Sequence, residues 1–163
     1  MDPSFWGRST WLYLHTLTFN YPEVPTESDK IKYYNYFKQL PEFLPCPSCA
    51  ESFKLYFEYI PINNYLDDIH GITFWLYTIH FIVNRKLSKK NMDFYDVIKL
   101  YLPNKTSCAK KDIDTSSKCT KMPSLDLSES IKFKTFKETS ENKYFLMTKT
   151  YISKLLNDYP SLY

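Results

Sequence analysis

Cys46 and Cys49, in Pro45-Cys46-Pro47-Ser48-Cys49, stand close enough in sequence to close a disulfide within one helical turn. At the start of a helix the first thiol also feels the positive end of the helix dipole, which lowers its pKa and raises its thiolate fraction. Such a pair can accept two electrons from a substrate dithiol by thiol–disulfide exchange. A competing reading makes the pair half of a zinc site completed by Cys108 and Cys119. Those two are separated by ten residues, a poor match to a metal knuckle. A thioredoxin-type redox motif would need βαβ context, and no strand pattern flanks it.

Two further constellations bear on the choice. Trp11 and His15 are four residues apart and share a helix face, as do His80 and Asn84, with Val83 beside them and Arg85-Lys86 following. Taken singly, a histidine on an apolar face is usually a satisfied core residue. Together with the dithiol, two helices present rings and polar neighbours to one bundle interior, which suits a flat, redox-active ring. The chain has only 2 Gly, too few for a phosphate loop or a Rossmann fingerprint, so any dinucleotide must be held by side chains.

Gly7-Arg8-Ser9-Thr10-Trp11, Leu14-His15, Tyr21-Pro22 and Pro25 resemble the opening motif of the Erv/ALR sulfhydryl oxidases. Pro45-Cys46-x-x-Cys49 matches that family's active-site dithiol. Trp75 and His80-x-x-Val83-Asn84-x-Lys86-Leu87 match its flavin-binding helix. The resemblance covers roughly residues 5–101. It implies a helical bundle holding FAD, usually as a homodimer. Trp11, His15, Tyr21, His80, Val83, Asn84 and Lys86 would contact the cofactor, with Gly7 and Arg8 near its phosphates or adenosine end. Tyr95 or Tyr101 would pack on the adenine. Two positions depart from the family: Phe81 stands where an Asn usually follows the histidine, and Tyr77 stands where many members place a second disulfide.

The same resemblance implies a mechanism. Cys46 is the exposed interchange thiol, Cys49 lies beside the flavin, and electrons pass through FAD to molecular oxygen, giving hydrogen peroxide. Clients would be thiol-bearing proteins or a thioredoxin-like relay protein. Cys108 and Cys119 lie in a Ser/Thr/Lys-rich stretch and read as a shuttle dithiol, with a structural disulfide or two free thiols as alternatives. The rival from another class is a non-enzymatic helical interaction module whose CxxC is structural or zinc-bound.

These groups need helices to position them. Trp11 to Phe19 reads as a first helix, opened by Ser9 or Thr10 and ended at Tyr21-Pro22. Thr26 or Ser28 caps a second, with Ile31, Tyr34, Phe37 and Leu40 along one face and Pro41 at its end. Cys46 opens a third through Ile60; a fourth spans Asp67 to Leu87; a fifth, shorter one fits Phe94 to Tyr101. The fold class is all-α, a four-helix bundle plus a short fifth helix. The division expected is a domain over 1–103 and a C-terminal extension over 104–163, with 104–128 a polar linker and a weak helical pattern over 141–157.

Residues 1–105 balance 11 Lys/Arg against 11 Asp/Glu, so the net charge of +3 comes entirely from the tail. That is too little to point to nucleic acid. No apolar run reaches the ~18 residues of a bilayer span. Met1-Asp2-Pro3 begins neither a signal nor a transit peptide. The expectation is a protein of the cytoplasm, where four cysteines point to redox or metal chemistry. The Lys-, Asn- and Tyr-rich composition suggests an AT-rich genome, and an untargeted, short-tailed chain with this resemblance is similar to the oxidases of large DNA viruses, which implies host cytoplasm or virion.

Overall fold

Asp2 starts the first helix: its carboxylate accepts the Ser4 N–H at 2.8 Å, and Pro3 fills the first helical position, where a missing N–H is no loss. In this computed structural model, which describes residues 1–106 and 127–160, α1 therefore runs Pro3–Phe19. Ser9 and Thr10 lie inside it rather than capping it. Thr26 caps α2 (Glu27–Phe43) through a capping box: its hydroxyl accepts the Asp29 N–H at 3.2 Å while Asp29 accepts the Thr26 N–H at 3.0 Å. Pro41 does not end this helix. It sits in the last turn, where a proline removes a single backbone bond and Phe43 can still follow in helical geometry.

Helix α3 spans Pro47–Tyr59 with Cys46 at its cap. A 3-10 turn at Ile62–Tyr65 leads to Asp68, which accepts the Gly71 N–H at 2.8 Å and opens α4 (Ile69–Lys86). Asp93 caps α5, Phe94–Tyr101, and a second 3-10 segment covers Leu102–Thr106. The last helix, α6, runs Leu127–Asp158. There is no strand among the described residues, and the all-α expectation holds.

Helix α4 is the central element. Its Trp75 is fully buried, meets the edges of Phe37, Phe53 and Phe57, and donates its indole N–H to the Ile60 carbonyl at 2.8 Å. That ring packs on α2 and α3, and α4 also packs on α1 and α6.

Helix α6 is longer than its sequence pattern suggests, beginning before 141 by about four turns. Phe133, Phe136, Tyr144 and Leu155 join the main apolar cluster along α4 and α5. Asp68 fastens it: Lys143 donates to that carboxylate at 2.7 Å and the Tyr144 hydroxyl at 3.1 Å. Gly71 is required at the crossing. A methyl group there would lie 2.8 Å from the Tyr144 ring and would strike the Tyr65 backbone oxygen.

Candidate active site

Cys46 and Cys49 form a disulfide at the N-terminus of α3. The Cys46 sulfur accepts the Cys49 N–H at 3.3 Å and lies 3.5 Å from the Ser48 hydroxyl. The Ser52 hydroxyl donates to the Ser48 carbonyl at 2.8 Å, and Lys86 donates to that hydroxyl at 2.7 Å. Lys86, expected at the flavin, thus ties the end of α4 to the dithiol helix. The expected exposure of the two sulfur residues is reversed. Cys46 is only 9% exposed and Cys49 more so, since Cys46 sits at the helix cap beside Pro45, whose carbonyl accepts the Met1 ammonium at 2.9 Å.

The rings gather where α1 meets α4. Trp11 stacks on His80 with centroids 4.0 Å apart and planes 5° from parallel. His15 Nε2 and His80 Nδ1 share a hydrogen bond of 3.0 Å. Beyond His15 the Tyr101 ring lies at 5.1 Å, Phe19 is 5.4 Å from Tyr101, and Phe136 of α6 is 5.9 Å from Phe19. A small cavity of about 80 Å³ opens among His15, Tyr77, His80, Phe81, Asn84 and Tyr101.

Burial, with His80 adding to it, pushes the His15 pKa down to about 3. Burial and then the Lys89 charge push His80 down to about 4. Both imidazoles are therefore neutral at pH 7. The unfolded chain takes up these protons near pH 6.5, where the folded chain does not, so stability falls as the pH drops through that window. At pH 5 His15 alone should cost about 2 kcal/mol relative to pH 7. The melting temperature should be flat between about pH 7 and 9 and decline from about pH 6.5 towards 4. The hydrogen-bonded carboxyl of Asp68, held below its ordinary range despite burial, acts only at lower pH. A melting temperature unchanged between pH 7 and 5 would contradict the neutral pair.

The residues fit a flavin. The lining is mostly flat rings together with Asn84, and His15 Nδ1 is buried without a hydrogen-bond partner. A buried ring nitrogen left so is costly unless a bound group completes it. The cavity is smaller than a three-ring system, so binding must exchange ring contacts such as Trp11 on His80 for contacts to the cofactor.

Other expected site residues distribute unevenly. Val83 is half-buried against the core, and Arg8 is exposed near the start of α1. An added Cβ at Gly7 would meet nothing within 4 Å, leaving open space there. Tyr21 is not brought to the ring cluster. It is fully buried, donates its hydroxyl to the Leu66 carbonyl at 2.8 Å and meets Tyr33 edge-on at 4.6 Å. Of the two tyrosines on α5, Tyr101 reaches the cluster, whereas Tyr95 turns to Ser130 and Phe133 of α6. Tyr77 packs on Phe94 at 4.8 Å and donates to the Met92 carbonyl, so aromatic packing occupies the place of a second disulfide.

Phe19 and Phe136, which complete the row of rings, were not singled out by the sequence. Phe19 ends an apolar run and could have been; Phe136 lies in a stretch without clear periodicity. Cys108 and Cys119 lie outside the described residues. Among the described residues no group of three or more His, Cys, Asp or Glu could hold a metal ion, and no helix is long and apolar enough to cross a membrane.

Comparison with known proteins bears on this arrangement. The "Probable FAD-linked sulfhydryl oxidase R368" of Acanthamoeba polyphaga mimivirus is 30% identical over 99 residues, covering 60% of this chain and 69% of that protein. The FAD-linked sulfhydryl oxidase ERV1 of Arabidopsis thaliana is 36% identical over 83 residues, 51% of this chain. This chain spans only 42% of the plant protein's length. The crystal structure of the FAD binding domain of Erv1 from Saccharomyces cerevisiae superposes with a TM-score of 0.59 at 27% identity, covering 63% of this chain and 96% of the yeast domain. The model of the Erv1 / Alr family matches residues 8–102, which hold the dithiol, both histidines of the ring cluster and Tyr101, and end before α6. With the helices, the Cys46–Cys49 disulfide and the family pattern coinciding over the same residues, the chain belongs to the Erv1/Alr family.

Proposed function

We propose that the chain oxidises pairs of protein thiols to disulfides through Cys46 and Cys49, with FAD held by Trp11, His15, His80, Val83 and Asn84 and molecular oxygen reduced to hydrogen peroxide. It is a FAD-linked sulfhydryl oxidase, as its family is. The observation that carries the reading is the Lys86–Ser52 hydrogen bond of 2.7 Å. It joins the last turn of the helix bearing His80 and Asn84 to the first turns of the helix bearing the dithiol, so electron donor and cofactor cradle share one end of the bundle.

In the forward half-reaction a client thiolate attacks Cys46 Sγ, which at 9% exposure has to be uncovered as the client docks; the Cys46–Cys49 bond breaks, and its electron pair goes to Cys49. The α3 N-terminus stabilises the thiolate that results. A second client thiolate then attacks the client sulfur and releases Cys46. The client has lost two electrons and the dithiol has gained them. When bound beside Cys49, FAD supplies the two-electron acceptor for reclosing the disulfide and the route to oxygen. The paired histidines stay neutral and place ring N–H or lone pair towards the cofactor without adding charge.

Gly7 and Arg8 are assigned to the phosphate or adenosine end, where α1 leaves open space, and Tyr101 to the adenine. Lys86 acts through Ser52, and Tyr21 is assigned to the core. Cys108 and Cys119 are proposed as the shuttle dithiol between client, or a thioredoxin-like relay, and Cys46. A homodimer is proposed through exposed Leu12 and Ile31 on α1 and α2. The similarity to a viral oxidase supports action in host cytoplasm or virion. Residues 1–103 would form the catalytic unit, with 104–163 carrying the shuttle and the α6 brace.

The purified protein should show visible flavin absorption and consume oxygen when given dithiothreitol. A colourless protein that stays inert after FAD is added would instead support the non-enzymatic helical module.

A further inference from the structure

The residue pair inside the CxxC motif is Pro47-Ser48, and the two differ in what they can offer a sulfur. Proline supplies no donor, only a fixed φ that suits the first helical position. Serine supplies a hydroxyl, and that hydroxyl lies 3.5 Å from Cys46 Sγ. It is not free to wander with the backbone. The Ser48 carbonyl is held by the Ser52 hydroxyl at 2.8 Å, and Ser52 is held by the Lys86 ammonium at 2.7 Å. The same sulfur accepts the Cys49 N–H at 3.3 Å, so two donors converge on Cys46.

From this geometry we infer that Ser48 is a further catalytic residue, a hydrogen-bond donor to the Cys46 thiolate that makes Cys46 the better leaving group when the mixed disulfide with the client is resolved. The inference rests on the thiol-oxidase reading and adds to it a residue that sets how readily the dithiol lets go of its product.

The chemistry balances in two exchanges. First, a client thiolate forms a bond to Cys46 Sγ; the Cys46–Cys49 bond breaks and its pair goes to Cys49. Second, another client thiolate forms a bond to the client sulfur; the client–Cys46 bond breaks and its pair goes to Cys46. The two client thiols lose two electrons and two protons in all; the enzyme sulfurs gain the electrons. One proton ends on Cys49, and the other goes to solvent while Cys46 remains a thiolate. In the disulfide, Cys46 carries no charge, and a hydroxyl facing it gains little. In the thiolate, the same hydroxyl faces a full negative charge, and a charge-assisted bond is about twice as strong as a neutral one. A donor that favours the thiolate lowers the thiol pKa and favours the reduced form of the pair, which raises its reduction potential. Ser48 is exposed, so water competes for the same sulfur and the effect is moderate rather than absolute.

The full-length chain tests this with Ser48→Ala and Ser48→Thr, the second keeping the hydroxyl. The reduced protein is alkylated with iodoacetamide across a pH series, and modification of Cys46 is read by peptide mass spectrometry, which separates it from the other thiols. Ser48→Ala should raise the pH midpoint of Cys46 alkylation by about half to one unit, with Ser48→Thr close to wild type. Equilibration with glutathione without oxygen should move about three- to tenfold towards the disulfide in Ser48→Ala; tenfold corresponds to ~30 mV. Ser48→Gly replaces the alanine variant if circular dichroism shows that alanine disturbs the start of α3. An alkylation midpoint that does not move on removing the hydroxyl, or that moves equally in Ser48→Thr, would overturn the inference. Failure of the oxidase reading looks different: wild type would consume no oxygen with dithiothreitol, while the Cys46 midpoint could still depend on Ser48.

Discussion

Replacing Cys49 with Ser is expected to lower dithiothreitol-driven oxygen uptake by at least about a thousandfold while the protein stays yellow. An alkoxide is a far poorer leaving group than a thiolate at neutral pH, and no disulfide can form with Cys46, so the dithiol can neither accept the client's electron pair nor give it up. The cofactor should remain because the cradle proposed for it is built elsewhere. Trp11 and His15 come from α1, His80 and Asn84 from α4 and Tyr101 from α5, whereas Cys49 is on α3. The local backbone should also persist: the Cys49 N–H has the Cys46 carbonyl as an acceptor at 3.1 Å in addition to the sulfur. Oxygen-electrode traces and absorbance spectra of the two proteins, taken together, decide the matter. A variant that loses its flavin would mean that the sulfur holds the cofactor rather than reducing it. A variant that retains more than about a tenth of the rate would mean that another dithiol does the work.

Much of this site could be read from the sequence because its parts obey short spacings. Cys46 and Cys49 sit within one turn, Trp11 and His15 share a face, and His80 and Asn84 share another. What could not be read is how those faces meet. The hydrogen bond between His15 and His80 joins residues 65 apart in sequence, and nothing local encodes it. Tyr21 is the converse case. A motif match placed it on the cofactor, but its hydroxyl is satisfied by the Leu66 carbonyl, so the ring can be wholly buried. Lys86 likewise matched a flavin-helix pattern, and its ammonium reaches Ser52 instead.

The helices divide along the same line. Apolar periodicity located α4 and α5, and α5 runs over the residues expected of it. The first half of α6 does not show in the sequence because its buried face is mixed: Phe133 and Phe136 are followed there by Ser140, which is buried and turns its hydroxyl back to the Phe136 carbonyl four residues earlier. Counted by polarity, Ser140 reads as solvent-facing, while in the folded chain it is part of the core. The start of α1 was missed for a simpler reason: Asp2 and Pro3 make a good helix opening, but few apolar residues follow before Trp11 to give a period.

The largest loss of stability is expected from Trp75→Ala, at about 4–5 kcal/mol. Trp75 is fully buried, and three aromatic rings meet it edge-on: Phe37 from α2 and Phe53 and Phe57 from α3. Alanine would leave a cavity bounded by those rings, and stiff rings on separate helices collapse into a void poorly. It would also leave the buried Ile60 carbonyl without its indole donor, an added cost of about 1–3 kcal/mol if no water replaces it. Against a typical total of about 5–15 kcal/mol for a domain, this brings the chain near the edge of folding. Trp75→Phe separates the two contributions, since it keeps most of the ring volume and removes the N–H; it should lose about 2 kcal/mol. Chemical denaturation of both variants measures this directly. A loss below about 1 kcal/mol for alanine would mean that α2 and α3 hold to α4 by other contacts, and Trp75 would lose its place as the anchor that sets the dithiol helix against the cofactor helix.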